Sequence, residues 1–264
     1  MSSLRVVSIN TGKGDGAYRR RVELLGSGLS ALEPDLVLLQ ESLKSADGAL
    51  DTTRQLARRL SLQASFVPAR FKRRDVEREW LDTWSGMGLL SRTVPDEVWP
   101  LVLPQDERDG ERVALVARFG ELGVANLHLT HLRGDDALRL RRKQIETLLL
   151  SELLLEAKQV LIGGDFNTPL AGIRDLLAGI GDWTAIDAFG NQRENRATMP
   201  VTKPMSEGYC LDFIFALIRG DAPAPVFAES RVVLGEADAQ GVYPSDHRGI
   251  ITTVTYDSEL EYAQ

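Results

Sequence analysis

Residues 35–41, DLVLLQE, set Leu36 to Leu39 in an unbroken apolar row between a Pro-Asp turn and two polar residues. A strand with one wet face alternates apolar and polar side chains, so an unbroken row marks a strand covered on both faces. VLIGG at 160–164 reads the same way, and the runs at 4–10, 210–217, 226–234 and 248–256 read as further strands. Covered strands need covering layers. Helical spacing supplies them at 17–32, where Val22, Leu25, Leu29 and Leu32 recur, and again at 50–61, 134–159 and 173–180. Between these lies a series of strands at 86–92, 96–103, 111–119 and 123–132, the last two joined as a hairpin across GELG. Residues 187–209 are polar and broken by Pro and Gly, as expected of a long loop. No composition break interrupts this order. It predicts one α/β domain over 1–256, with a mixed sheet or two packed sheets and helices outside, then an acidic tail at 257–264.

The chain has 264 residues, 43% of them hydrophobic, which is enough for one sizeable core. A net charge of -7 gives no general attraction to nucleic acid or to an anionic membrane, and leaves room only for a local basic patch. Cys210 is the single cysteine, so no intrachain disulfide forms, and it reads as a small buried apolar residue. The N-terminal residues read directly as a strand rather than as a signal peptide, and the expected compartment is the cytoplasm. No stretch approaches the roughly 18 apolar residues of a membrane span. The richest, IETLLLSELLLEA, carries Glu146, Glu152 and Glu156 and reads as an amphipathic helix.

Polar groups gather where the apolar strands stop. Asn10 follows Val6–Ile9, Glu41 follows Leu36–Gln40, and Asp165 and Asn167 follow Val160–Ile162. Asp246 and His247 precede the strand at 248–256, and if that strand runs antiparallel to its neighbours its start lies beside their ends. Taken singly, such residues are turns and caps. Together they offer one rim a set of carboxylate and amide oxygens, the ligands Mg²⁺ prefers. There is no HExxH and no Cys/His cluster to suggest zinc. Alternation puts Asn126, His128 and Thr130 on one strand face. Two histidines beside an oxygen-ligated cation suit phosphate-ester hydrolysis, one to take a proton from water and one to support charge on the phosphoryl oxygens. Asp212 stands inside an apolar strand, which is costly unless it is paired, and His247 is its natural partner. TGKGDG after Asn10 lacks the ending of a P-loop and reads as a flexible turn with Lys13 toward the cleft. Gly163 and Gly164 are expected to leave room for a phosphate at the strand end.

In order along the chain, SIN, LLQES, GMGLLSR, NLHL, GGDFNTP, LDFIFA and SDHRGI resemble the endonuclease/exonuclease/phosphatase superfamily of metal-dependent phosphoesterases, over about residues 4–254. The resemblance implies a four-layer α/β sandwich with two central mixed sheets, and a Mg²⁺ or Mn²⁺ cofactor. It further implies Glu41 as the main metal ligand with Asn10 and Asp246 near the ion, and Asp165 aligning or activating water. Asn167 would hold the phosphate or Asp165, and His128 would stabilise phosphoryl charge. His247, oriented by Asp212, would be general base or electrostatic partner; the base is either Asp165 or the Asp246–His247 pair. Met87 departs from the Asn often found at its position. Arg141 and Gln144 match a pattern that ties a helix to neighbouring loops. For a carboxylate partner of His128 the candidates are Glu79 and Asp82.

The expected substrate is a phosphoester, with nucleic acid ahead of a lipid or sugar phosphate; no protein partner is evident. The alternatives are a phosphatase or phospholipase-type enzyme acting on a lipid or inositol phosphate, and a non-catalytic binding protein on the same fold. Basic clusters stand at 19–21, 69–78 and 139–143. Because 69–78 mixes Asp75 and Glu77 with its arginines, it reads as a solvated face. Trp80, Trp84 and Trp99 read as core or rim residues.

Overall fold

The computed structural model describes residues 2–157, 159–220 and 222–256, so the tail at 257–264 lies outside the described residues. In chain order the elements are β1 (Ser2–Asn10), α1 (Tyr18–Leu32), β2 (Leu36–Ser45), α2 (Thr52–Leu60), β3 (Gln63–Val76), β4 (Glu79–Ser91), β5 (Glu97–Val102), β6 (Val113–Phe119) and β7 (Leu122–His128). There follow α3 (Asp135–Leu149), α4 (Glu152–Leu155), β8 (Gln159–Asp165), α5 (Leu170–Leu177), β9 (Trp183–Asp187), β10 (Asp212–Arg219), β11 (Val226–Val233) and β12 (Gly249–Tyr256).

Two six-stranded mixed sheets form, in the orders β11-β12-β1-β2-β4-β3 and β5-β6-β7-β8-β10-β9. Their facing sides share one apolar layer that includes Val6, Leu38, Leu89, Leu115, Leu161 and Ile214. The far side of the first sheet packs Val7, Ile9, Val37 and Leu39 on Leu25 and Leu29 of α1 and Leu56 of α2. On the far side of the second sheet, Ala125, Val160, Ile162 and Phe215 meet Ile145 and Leu148 of α3 and Ile173 of α5. The unbroken apolar rows of β2 and β8 are therefore covered on both faces, and the layers run helix, sheet, sheet, helix. Among the described residues no helix is long and apolar enough to cross a membrane.

Three sequence readings change. The helix expected over 134–159 is two, because the chain turns at Leu150 and Ser151, where the Ser151 hydroxyl donates to the Leu148 carbonyl at 2.8 Å. Apolar spacing runs through this break because Leu148, Leu149 and Leu154 all enter the same core. β9 is a further strand, at a sheet edge. The largest addition is the β3–β4 hairpin, paired from Gln63↔Ser91 to Val76↔Glu79, of which only the last part of β4 is apolar enough to read as a strand.

Candidate active site

Register assembles one side of the site. Parallel pairing sets His128 of β7 beside Asp165 of β8, and antiparallel pairing sets Asp212 of β10 beside Asp165. The Phe166 ring, fully buried at 5.6 Å from both Phe213 and Phe215, anchors the turn after β8. The Asn167 N–H then closes onto Asp165 Oδ1 at 2.9 Å, and its side-chain amide donates to the Leu129 carbonyl at 3.1 Å.

From the other sheet come Asn10 at the end of β1 and Glu41 in β2. Glu41 sits where the β2–β4 register shifts between Leu39 and Ser42, with φ of 53°, so the bulge re-aims its side chain. β12 runs antiparallel to β1, which brings Asp246 and His247, just before it, beside the end of β1. The Ser245 hydroxyl donates to the Asn10 carbonyl at 2.6 Å and locks this junction. Behind the site a buried polar link joins the sheets. Gln40 donates to Asn126 Oδ1 at 2.7 Å, and the Asn126 amide donates to the carbonyls of Leu39 (2.9 Å) and Gly88 (2.8 Å).

Asn10, Glu41, His128, Asp165, Asn167, Asp246 and His247 line one cleft of about 250 Å³, and Asp212 lies beneath His247. Asp165 Oδ2 accepts from the Asn10 amide at 3.1 Å and stands 3.5 Å from His128 Nε2 and 3.9 Å from His247 Nε2. His247 Nδ1 donates to Asp212 Oδ2 at 2.8 Å. The His128 ring lies 3.9 Å from Glu41 Oε1 through Nδ1, so its carboxylate neighbours are Glu41 and Asp165. Glu79 and Asp82, the sequence candidates for that role, instead pair with Val76 and Arg73 in the outer hairpin.

Environment sets the charges. Burial pushes His247 down, but the Asp212 carboxylate and hydrogen bond, with Asp165 and Asp246 nearby, more than offset this and raise it to about 10. Burial and the Asp212 charge raise Asp165 to about 7, against the pull of His247 and the Asn167 and Asn10 donors. His128 is held well below its ordinary value by burial and by the cations Arg112, Lys13 and His247. Near neutral pH the site thus holds an imidazolium at 247, a neutral imidazole at 128, and between them a carboxyl able to exchange a proton.

Asp165, Asp212 and His247 bring one ligand atom each within 4.8 Å of one another, a candidate metal-binding cluster. Within it Asp212 Oδ2 and His247 Nδ1 are committed to each other. Glu41, by contrast, already faces a cation, since Lys13 Nζ lies 2.7 Å from its Oε1. Lys13 is held there by the 11–15 loop, whose Thr11, Gly12 and Asp15 carbonyls accept from the Arg21 guanidinium.

Residues 7–247 match the model of the Endonuclease/Exonuclease/phosphatase family. The chain belongs to that family. Membership supports a metal-dependent phosphoesterase, of the phosphodiesterase or nuclease kind, at the level of the family. Solved structures with the same fold include a D. rerio TDP2 humanized by 14 mutations (22% identity, TM-score 0.69, 97% of this chain and 100% of that one). Another is D. rerio TDP2 complexed with single strand DNA product (22% identity, TM-score 0.67, 97% and 100%). A third is an endonuclease/exonuclease/phosphatase from Bacteroides vulgatus (16% identity, TM-score 0.71, 97% and 100%). No curated protein matches the chain in sequence.

Several sequence readings of the family pattern meet their geometry here. Arg141 donates to the carbonyls of Thr130 and Leu132, both at 3.0 Å, and Gln144 accepts from Thr130 N at 3.0 Å, so α3 is tied to the segment after β7. The two glycines before Asp165 have another reason than the one expected. A Cβ on Gly163 would stand 2.6 Å from Leu38 Cδ1 of the facing sheet, and one on Gly164 would stand 1.9 Å from the Leu127 carbonyl oxygen. They allow close packing of sheet and strand, not the approach of a phosphate. His131, left without a role by sequence, lines the cleft with Nδ1 at 2.5 Å from the buried Asp109 carboxylate, which Arg112 also clasps. Asp109 and Arg112 lie in the loop after β5, and no strand-end signal marks them.

Proposed function

We propose that this chain is a divalent-metal-dependent phosphodiesterase that cleaves its substrate by in-line attack of water, with nucleic acid as the substrate class. The observation that carries the reading is the surround of Asp165: the Asn10 amide, His128 and His247 on one carboxylate, and Asp212 fixing His247. A binding protein has no use for a buried carboxyl lifted to about 7 between a neutral and a protonated histidine.

Asn10, Glu41 and Asp246 fit a hard divalent ion, Mg²⁺ or Mn²⁺. They are oxygen donors, and the Lys13 ammonium on Glu41 supports reading this place as one for a cation. When bound, the ion would polarise the phosphoryl group and offset its charge. The protein's own groups divide the remaining work. Asp165, held by Asn167 N–H and Asn10, orients the attacking water and accepts its proton. His247 is imidazolium at neutral pH, so it serves as the cationic partner of the phosphoryl oxygens rather than as the base, with Asp212 fixing its ring. Neutral His128 donates a hydrogen bond to the same oxygens. The cleft draws on residues from 10 to 247, so 1–256 is read as one catalytic domain.

The D. rerio TDP2 structure with single strand DNA product supports nucleic acid over a lipid or inositol phosphate. The test is release of p-nitrophenol from bis-p-nitrophenyl phosphate with Mg²⁺, Mn²⁺ or EDTA, beside a panel of oligonucleotides, lipid and inositol phosphates. Metal-dependent turnover that disappears in the Asp165→Ala, His247→Ala double variant is expected. Full activity in that variant, or no turnover of any diester, sinks the reading. Faster hydrolysis of a monoester than of the matching diester would favour a phosphatase.

A further inference from the structure

The charge run at 69–78 is divided by the strand it folds into. In the β3–β4 hairpin Arg70 pairs with Ser85 and Arg74 with Leu81, whereas Phe71 pairs with Trp84 and Arg73 with Asp82. Alternation therefore sends Arg70, Lys72 and Arg74 to one face and Phe71, Arg73 and Asp75 to the other. The first face is the cleft face, because Arg70 and Ser85 line the cleft. What reads as a solvated mixed patch is, on this side, a row of cations.

Arg74 is the unusual member. Its guanidinium leans back along β4, donating to Thr83 Oγ1 at 2.7 Å, to the Thr83 carbonyl at 3.1 Å and to the cleft-lining Ser85 hydroxyl at 3.3 Å. These partners are neutral, and among the described residues no carboxylate stands within ion-pair distance of it. Burial, together with the neighbouring Arg70 charge, holds Arg74 below the usual guanidinium range, with Glu41 and Asp15 as the more distant anions. Arg70 donates to the Asp109 carbonyl at 3.1 Å, and its one ion pair among the described residues is a loose contact with Glu111, at 3.9 Å. Two guanidinium groups thus share one face of the hairpin with no close ion pair among the described residues, an arrangement that an incoming anion would relieve.

Their place in the sheet says which anion. In the order β12-β1-β2-β4-β3, Asp246–His247 precede β12, Asn10 ends β1, Glu41 lies on β2, and Arg70 lies on the edge strand β3. Arg70 therefore stands two strands beyond Glu41, about 10 Å away at ordinary strand spacing. That is too far to share the phosphate held between Asp165 and His247, and suits the next phosphate along a chain. We infer that Arg70, Arg74 and the Ser85 hydroxyl form a second phosphate site on the cleft wall, which holds the phosphodiester adjacent to the scissile one. The inference rests on the phosphodiesterase reading above and narrows it: the substrate carries successive phosphodiesters, as a nucleic-acid strand does.

The test compares substrates with one phosphate and with several. For bis-p-nitrophenyl phosphate and for a single-stranded hexanucleotide, kcat/KM is measured in the wild type, Arg70→Gln, Arg74→Gln and the double variant. The oligonucleotide-to-small-diester ratio should fall at least about tenfold in the double variant, mostly through KM, and the salt slope on the oligonucleotide should become shallower by about one. A methylphosphonate at the linkage beside the cleaved one should cost the wild type a similar factor and the double variant little. Oligonucleotide binding, followed by fluorescence anisotropy in EDTA, should weaken in parallel. Arg70→Gln alone, at an exposed position, keeps the test open if Arg74→Gln disturbs the hairpin. An unchanged ratio, or a wild type that cleaves the small diester and no oligonucleotide, overturns the second site while leaving the phosphodiesterase reading intact. A wild type that binds the oligonucleotide through these arginines but hydrolyses neither substrate overturns the phosphodiesterase reading instead.

Discussion

The Lys13 ammonium lies 2.7 Å from Glu41 Oε1, and the two residues are also joined through the backbone, Lys13 N donating to the Glu41 carbonyl at 3.2 Å. Both have positive φ, 50° and 53°, so two unusual turns are needed to bring them together.

A divalent ion on Glu41 has to displace that ammonium or share the carboxylate with it. Replacing Lys13 by Met removes the competing charge and keeps most of the side-chain volume. Manganese binding, followed by the loss of the free-ion EPR signal, should tighten by about tenfold, roughly 1.4 kcal/mol. Weaker binding would mean that Lys13 shapes the site rather than competes for it.

The Asp212–His247 pair makes a separate prediction. Asp212 is fully buried, its Oδ2 accepts from His247 Nδ1 at 2.8 Å, and its Oδ1 has no hydrogen-bond partner. Asp212→Asn keeps the shape and removes the charge, so kcat should fall by about 10² to 10⁴ with KM little changed. NMR titration should find the His247 ring, raised to about 10 in the wild type, falling well below that value once only Asp165 and Asp246 oppose burial. Because the folded value is raised, the pair's contribution to stability is complete below about pH 6.5 and is lost as the pH rises through about 10. Denaturant midpoints of the wild type in EDTA should decline over that window, and those of Asp212→Asn should decline less.

Which of these relationships could be read beforehand follows from how each is made. Asn10, Glu41, Asp165 and the Asp246–His247 pair were legible because each stands where an apolar run stops or starts, and a strand end is a position that sequence reveals. The antiparallel β12 needed to bring the last pair in is present. Asp212 was legible through its cost, a carboxylate among apolar neighbours. The neighbours of His128 were not, because its contact with Glu41 crosses between sheets and leaves no spacing to detect. The outer β3–β4 hairpin was hidden for a related reason. Between Val67 and Val76 its residues are exposed or half-buried, so both faces tolerate charge and the period of two is masked by arginines that alternate in environment rather than in polarity. Asp109, Arg112 and His131 meet through a loop, where no periodicity operates.

Asp165 should show the conflict between activity and stability directly. Its carboxyl is raised from 3.8 to about 7, so the folded protein resists ionising it. A group with a raised folded value contributes its stability fully below the unfolded value, near pH 4, and loses it as the pH rises through about 7. Asp165→Asn removes the charge and should abolish turnover. In EDTA at pH 8 it should nonetheless unfold at a higher denaturant concentration than the wild type, by about 1–3 kcal/mol. The gain should shrink toward zero near pH 4, where the wild-type carboxyl is protonated. A variant less stable than the wild type at pH 8 would show that the ion pair with His247 outweighs the burial cost.

The glycines before Asp165 separate two kinds of crowding. At Gly164 a Cβ would meet the Leu127 carbonyl oxygen at 1.9 Å, and the backbone has φ of 143°. Neither the strand nor the dihedral can yield without breaking the β7–β8 pairing that sets His128 beside Asp165. At Gly163 the obstacle is the end of the Leu38 side chain, at 2.6 Å, which can change rotamer. Gly164→Ala should therefore cost about 3 kcal/mol or more and lower kcat with it, whereas Gly163→Ala should cost about 1–2 kcal/mol and leave the reaction nearly intact. Urea unfolding read beside turnover of bis-p-nitrophenyl phosphate distinguishes them. A large rise in KM for Gly163→Ala at unchanged stability would restore the opposite view, that the glycines keep the strand end clear for the phosphate.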